Sequence, residues 1–251
     1  GWQNFTARVA IELKIHPDPN KSMARSILHL VPVFGSIKTS GNSNLEHLRT
    51  LIDVASAKDL EPVMQLTCLR LINAIIFLQP SCRLMTQEQR DVEWSRFLRH
   101  REPSGKKISG VHFSELLDDI ARMGGVQAAM KCVCESTEPE NTLEALRLGV
   151  LLLSDGRLSV QDAFQQGLAS PTSGQFFEEL HNIMHKALLI MKEGNPSYAE
   201  YQLPVNVRQA FYVFKMIRRL LSGRHRPLQD LFRVQRLNRV SVNILIEAMS
   251  P

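Results

Sequence analysis

An all-α fold, with helix pairs stacked into a solenoid, is what this sequence predicts, on three observations. Apolar residues recur at helical spacing almost from end to end, marking roughly a dozen helical segments between short breakers. Aromatic residues are only 6% of the chain, while Leu, Ala, Met, Ile and Arg abound, which favours helices with aliphatic cores over sheets. Pairs of these segments return at intervals of about 40 residues, without a strict sequence repeat.

Composition sets the outer limits. The 251 residues suit one extended domain or two smaller ones, and 44% hydrophobic with 22% charged residues is ordinary globular usage, excluding wholesale disorder or one long coiled coil. The longest apolar run, Leu148 to Leu153, is far below the ~20 residues of a membrane span. Gly1–Lys14 has no charged region followed by an apolar one and no initiating Met, so we expect no signal peptide and an excised segment of a longer chain. Cys68, Cys82, Cys132 and Cys134 lack the density of a small secreted scaffold and suit a reducing cytosol without disulfides.

In chain order, Asn4–Ile15 reads as a helix, or as a strand through the alternation Ala7–Leu13, and the prolines of His16–Asn20 end it. Ser22–Phe34 reads helical with Pro32 inside, and Gly35–Ser43 is a polar loop. Ser43 or Asn44 is expected to cap the helix to Ala57, which places Leu45, Leu48, Leu51, Ile52 and Ala55 on one face. Leu60–Leu78 is apolar nearly all round, predicting the buried member of a packed pair. Thr86–His100, a basic loop Arg101–Gly110 and Val111–Met123 follow, the last ended by Gly124-Gly125. Then come Val126–Glu135, Asn141–Ser154 closed by Asp155-Gly156, Ser159–Gln166 and Ser173–Lys192. Beyond the loop Asn195–Ser197, the spacing predicts helices at Pro204–Leu221, Leu228–Phe232 and Val240–Met249, with Gly223 as a breaker. A pair of this size cannot bury its apolar face alone, so the expected fold is an armadillo/HEAT-like solenoid whose ridged surface binds partners.

One series of residues carries more than periodicity. Leu146 to Gly156 leads into Val160-Gln161-Asp162-Ala163-Phe164, Phe176-Phe177-Glu178-Glu179-Leu180-His181 and Met184-His185-Lys186-Ala187. Further on stand Phe211-Tyr212-Val213-Phe214, Leu228-Gln229-Asp230-Leu231-Phe232-Arg233 and Val242-Asn243-Ile244-Leu245. In order and spacing this resembles the inositol trisphosphate receptor and ryanodine receptor family, the intracellular calcium-release channels, around their homology-associated domain. The resemblance spans roughly residues 120–250 and divides the chain into N-terminal armadillo-like repeats, 1–110, and a homology-associated-like region, 111–251. It implies a cytosolic helical module that conveys ligand-induced movement toward a tetrameric pore in the endoplasmic reticulum membrane. In those channels a glutamate before the glycine that follows the long helix helps form an activating calcium site. Here Ser222 precedes Gly223, so the resemblance carries no calcium site onto this chain. In the first half, Leu66-Thr67-Cys68-Leu69-Arg70-Leu71-Ile72-Asn73-Ala74-Ile75-Ile76 is similar to a helix in the armadillo regulatory region of diaphanous-type formins, which implies instead a scaffold gripping a partner such as a small GTPase.

Candidate sites are few. Glu178, His181 and His185 at i, i+3 and i+7 share a helix face, as a metal site needs, but no second motif completes a cage, and surface histidines are the simpler reading. Cys132 and Cys134 on a helix point about 200° apart, against zinc. No G-x-S-x-G, H-E-x-x-H, Walker or dinucleotide motif occurs, and Ser104-Gly105-Lys106-Lys107 lacks the leading glycine of a phosphate loop. We expect no enzyme, no cofactor and no metal. The informative feature is a basic cluster of Arg208, Lys215, Arg218, Arg219, Arg224, Arg226, Arg233, Arg236 and Arg239, opposed in sequence only by Asp230. Of these, Arg218, Arg219, Arg224, Arg226, Arg233, Arg236 and Arg239 are the expected partner-binding residues, meeting other domains or subunits of the parent or an acidic protein. Phe211, Tyr212, Phe214 and Phe232 sit mostly at positions that read as core-facing, which disfavours base stacking and hence nucleic acid. The expected setting is the cytoplasm, through the parent at the cytosolic face of the endoplasmic reticulum.

Overall fold

The structure, a computed structural model, describes residues 42–57, 60–78, 111–170, 173–193, 203–223 and 225–233. The helices expected at Asn4–Ile15, Ser22–Phe34, Thr86–His100 and Val240–Met249 lie outside these residues, as do most of the loop Gly35–Ser43 and all of Arg101–Gly110. Among the described residues there are helices and no strands: α1 Asn42–Ala55, α2 Pro62–Leu78, α3 Val111–Arg122, α4 Gly125–Glu135, α5 Pro139–Leu152, α6 Leu158–Leu168, α7 Ser173–Glu193, α8 Val205–Leu221 and α9 Arg226–Arg233, with a short 3-10 turn Leu153–Asp155 after α5. The all-α expectation holds.

Local chemistry explains most of the boundaries. Gly124 between α3 and α4 adopts φ +89°, a left-handed conformation that glycine reaches without a Cβ clash. Gly125 answers a different need, since a Cβ there would lie 2.9 Å from the Ile120 carbonyl oxygen. α5 begins at Pro139, whose missing N–H costs nothing in a first turn, so Asn141 lies inside the helix and not at its start. Ser154, expected within that helix, belongs to the 3-10 turn. α1 already includes Asn42, so the cap expected at Ser43 or Asn44 lies in its first turn.

Six consecutive residues of α2, Leu71 to Ile76, are buried. Successive helical residues point 100° apart, so this stretch of α2 is enclosed on every side, as its composition predicted, while Pro62 and Val63 in the first turn are exposed. α5 touches α2, α4 and α8; α4 touches α1, α5, α6 and α7. The hairpins α1–α2, α4–α5 and α7–α8 thus meet helix to like helix, α2 to α5 to α8 and α1 to α4 to α7. α9 contacts α6 and α8, and its buried Phe232 packs edge-on against Phe177 of α7, ring centroids 5.2 Å apart. One contiguous apolar core runs from Leu48 to Phe232.

Candidate functional site

Polar residues inside that core single out the two seams of α5. Glu144 and Arg147 are 1% and 2% exposed, although α5 is otherwise lined with Leu and Val. A carboxylate buried this deeply must be paired. Arg147 Nη1 donates to Glu144 Oε1 at 2.7 Å, Asn73 Nδ2 on α2 donates to Glu144 Oε2 at 3.0 Å and to its carbonyl oxygen at 2.9 Å, and Arg70 Nε lies 3.6 Å from Oε1. One turn earlier, Glu140 splits its carboxylate: Oε1 accepts from Arg208 of α8 at 2.8 Å, and Oε2 faces Arg70 at 3.8 Å. The Arg147 guanidinium also stands over the Tyr212 ring, 5.4 Å from its centroid. Burial pushes the Glu144 carboxyl up from its ordinary value, against the pull of Arg70 and Asn73. Burial likewise draws Arg147 down, against Tyr212. The network therefore cross-links α2, α5 and α8.

The described members of the basic cluster differ in their surroundings. Arg208 turns inward to Glu140, which the sequence did not signal as an opposing charge. Arg219 Nη1 donates to the Val150 carbonyl at 2.5 Å, covering an acceptor in the last turn of α5 that lacks an intrahelical donor. Arg233 pairs with Asp230 one turn back, at 3.0 Å. Arg218 and Arg226 are exposed, while Arg224, Arg236 and Arg239 lie outside the described residues. Lys215 holds its ammonium over Phe211, 4.2 Å from the centroid. Of the four aromatics expected mostly to face the core, Tyr212 and Phe232 are buried, while Phe211 and Phe214 are 46% and 45% exposed, because Tyr212, Val213, Met216, Ile217 and Leu220 fill the buried face of α8.

The turn from α8 to α9 is tied from three sides. Gly223 adopts φ +85° and Ser222 Oγ donates back to the Arg219 carbonyl at 2.7 Å. The carbonyl of Ser222 accepts from Gln161 of α6 at 3.1 Å, and Gln229 Nε2 donates to those of Leu221 and Gly223, both at 3.2 Å. His225, which the sequence reading passed over, bridges α6 and α9: its Nε2 meets Asp162 at 2.8 Å and its Nδ1 accepts the Leu228 N–H at 3.2 Å. With Nδ1 accepting, Nε2 carries the proton. A histidine beside a helix start, three residues before an unpaired N–H, is the signal that could have revealed this cap.

Of the remaining candidates, Glu178 and His181 are half-buried and His185 is exposed. The rings of His181 and His185 stack, centroids 6.1 Å apart and planes 8° from parallel. Among the described residues, no three His, Cys, Asp or Glu side chains are grouped to hold a metal ion. Cys132 is buried and its thiol donates to the Ala55 carbonyl at 3.3 Å; burial pushes it and Cys134 up to about 12, and Cys68 to about 11. Such thiols stay protonated near neutral pH and supply no thiolate. A cleft of about 170 Å³ opens where the α1–α2 and α4–α5 turns meet, lined by Ser56, Gln65, Lys131, Glu135, Ser136 and Asn141 among others. Its polar groups are largely spent on one another: Gln65 Oε1 accepts from Asn141 and Ser136, at 2.8 and 2.9 Å, and Lys131 donates to the Ser56 carbonyl at 2.7 Å. No helix among the described residues is long and apolar enough to cross a membrane.

Compared with known protein families and with curated proteins, the chain matches no family model and no curated protein.

Proposed function

We propose that the chain is a non-catalytic helical module of an intracellular calcium-release-channel-like protein, transmitting conformational change between neighbouring parts of its parent or docking partners against them, at the cytosolic face of the endoplasmic reticulum. The observation that carries the mechanical part is the ion-pair network through α2, α5 and α8. Glu140 faces Arg70 with one oxygen and Arg208 with the other, so a displacement of α2 is felt at α8 through a single carboxylate. Like-to-like contact of the three hairpins supports an armadillo/HEAT-like solenoid, although their starts at Asn42, Gly125 and Ser173 are unevenly spaced. The parentage rests on the order of residues between Leu146 and Leu245. With a hydroxyl at Ser222 turned back onto its own helix, the module transmits and does not sense calcium.

Hydrogen exchange tests the mechanical part. In the parent chain α2, α5 and α8 are expected to open as one unit, and Glu140→Ala should speed exchange in both α2 and α8. Acceleration confined to α5 would remove the transmission role. Thermal unfolding in excess calcium and in chelator should give the same midpoint, whereas a calcium-dependent rise would make the segment a sensor.

A further inference from the structure

α8 has two faces, and its outer one has a composition of its own. Phe211, Phe214 and Arg218 stand at i, i+3 and i+7, with Lys215 at i+4, along about 10 Å of one side of the helix. Both phenyl rings are nearly half exposed. From Tyr201 to Gln229 the chain carries six Lys and Arg residues and no Asp or Glu. We infer that this face of α8 docks an acidic, amphipathic protein segment whose apolar side chains seat on Phe211 and Phe214 and whose carboxylates meet Lys215 and Arg218. The inference rests on the interaction-module reading above but requires no particular parent.

Charge complementarity argues for this occupant. On this face the exposed Arg218 and the half-buried Lys215 favour carboxylates and penalise a basic partner by like-charge contact, whereas Arg208 turns away to Glu140. Two rings one turn apart match apolar side chains at the same i, i+3 spacing on an incoming helix, and aromatic rings are the side chains on which interface energy concentrates. Nucleic acid fits less well, because a base stacks on an open ring face and the Lys215 ammonium lies over that of Phe211.

The experiment is a selection of 16-residue peptides from a random display library on the immobilised chain, followed by affinity measurement of the enriched peptides. Enriched peptides should carry Asp or Glu beside Leu, Phe or Met at helical spacing. They should lose about 10-fold or more in affinity against Phe211→Ser/Phe214→Ser and against Arg218→Glu. A Glu→Lys peptide should recover affinity for the Arg218→Glu chain and not for the parent. The three replaced side chains are exposed, so circular dichroism and unfolding midpoints should stay at parental values and keep the comparison valid. Peptides that bind equally to both variants would remove this face while leaving the interaction reading standing. A library from which nothing is enriched would remove both. Two further probes, vesicles of phosphatidylcholine with phosphatidylserine and oligouridylate, should show no binding that the variants abolish; such binding to either would replace the protein partner with lipid or RNA.

Discussion

The two seams of α5 are closed by different means. Toward α2, side chains meet side chains: the buried Glu144 is held by the buried Asn73 and faced by the partly buried Arg70. Toward α8, the contacts sit at the ends of the helix, with Gln209 donating to the Pro139 carbonyl at 2.6 Å and Arg219 to that of Val150 at 2.5 Å. Between these clamps the helices approach closely at Gly149, where an added Cβ would lie 2.9 Å from Met216 Sδ and 3.6 Å from the Phe164 ring. The first seam holds its charges in the interior, whereas the second joins the half-exposed Glu140–Arg208 pair to end clamps and a close-fitting shape at Gly149. Buried charge punishes the loss of one partner heavily, whereas a shaped contact yields by degrees.

The largest expected effect is therefore on the α2 side. Glu144→Ala leaves Arg147 in the core without its carboxylate and should cost about 3–5 kcal/mol, lowering Tm by roughly 6–20 °C. Glu144→Met combined with Arg147→Met should cost less than the sum of the two single changes, which urea denaturation of the four proteins would reveal as coupling. On the α8 side, Gly149→Val should overpack the seam by about 1–3 kcal/mol. Gly149→Ala should stay within about 1 kcal/mol of the parent, because the Met216 thioether can turn aside and alanine gains about 1 kcal/mol of helix propensity. A Glu144→Ala loss smaller than that of Gly149→Val would invert the comparison.

The smallest effect belongs to an ion pair outside both seams. Asp118 of α3 accepts hydrogen bonds from Arg157 and Ser159 across the contact with α6. Burial pushes its carboxyl up, but those bonds and the charges of Arg157 and Arg122 outweigh it and hold the group below the usual carboxylate value. Because the folded value lies below the unfolded one of about 3.9, this stabilisation is present above roughly pH 4 and is lost as the pH falls through the folded value. Asp118→Asn should cost under about 1 kcal/mol at neutral pH, as for other half-exposed pairs, and nothing in strong acid. A gap between the two proteins that persisted in strong acid would assign the effect to packing.

Helix positions were readable because their signals are local. The apolar period and the breakers Gly124-Gly125, Gly156 and Gly223 put most described boundaries within two residues of their place, and all three positive-φ glycines fall at such breaks. Which helices meet was not readable, since Asn73 and Glu144 lie 71 positions apart and neither leaves a periodic trace of its partner. One member of the basic cluster, Arg208, has a partner that the sequence hid for a related reason. Its opposing carboxylate, Glu140, lies 68 positions from Arg208, so counting acids along the segment could not find it. Which of the four aromatics stay outside was not readable either, since α8 carries more apolar residues than its inner face can hold and composition does not choose among them.

The sequence distances in the two seams also set an order of events during folding. Asn73 finds Glu144 across 71 residues, Arg208 finds Glu140 across 68, and Arg219 finds Val150 across 69, so every cross-link closes a long loop. Long-range closure is slow compared with hairpin formation. A chain emerging from its N-terminus has both halves of the α2–α5 seam once Arg147 is made, whereas Glu140 must wait for Arg208 before its second oxygen is answered. The seam with α8 is thus the later of the two to close, and until it does the part of α8 that meets α5 stays uncovered, although α7 already covers another part.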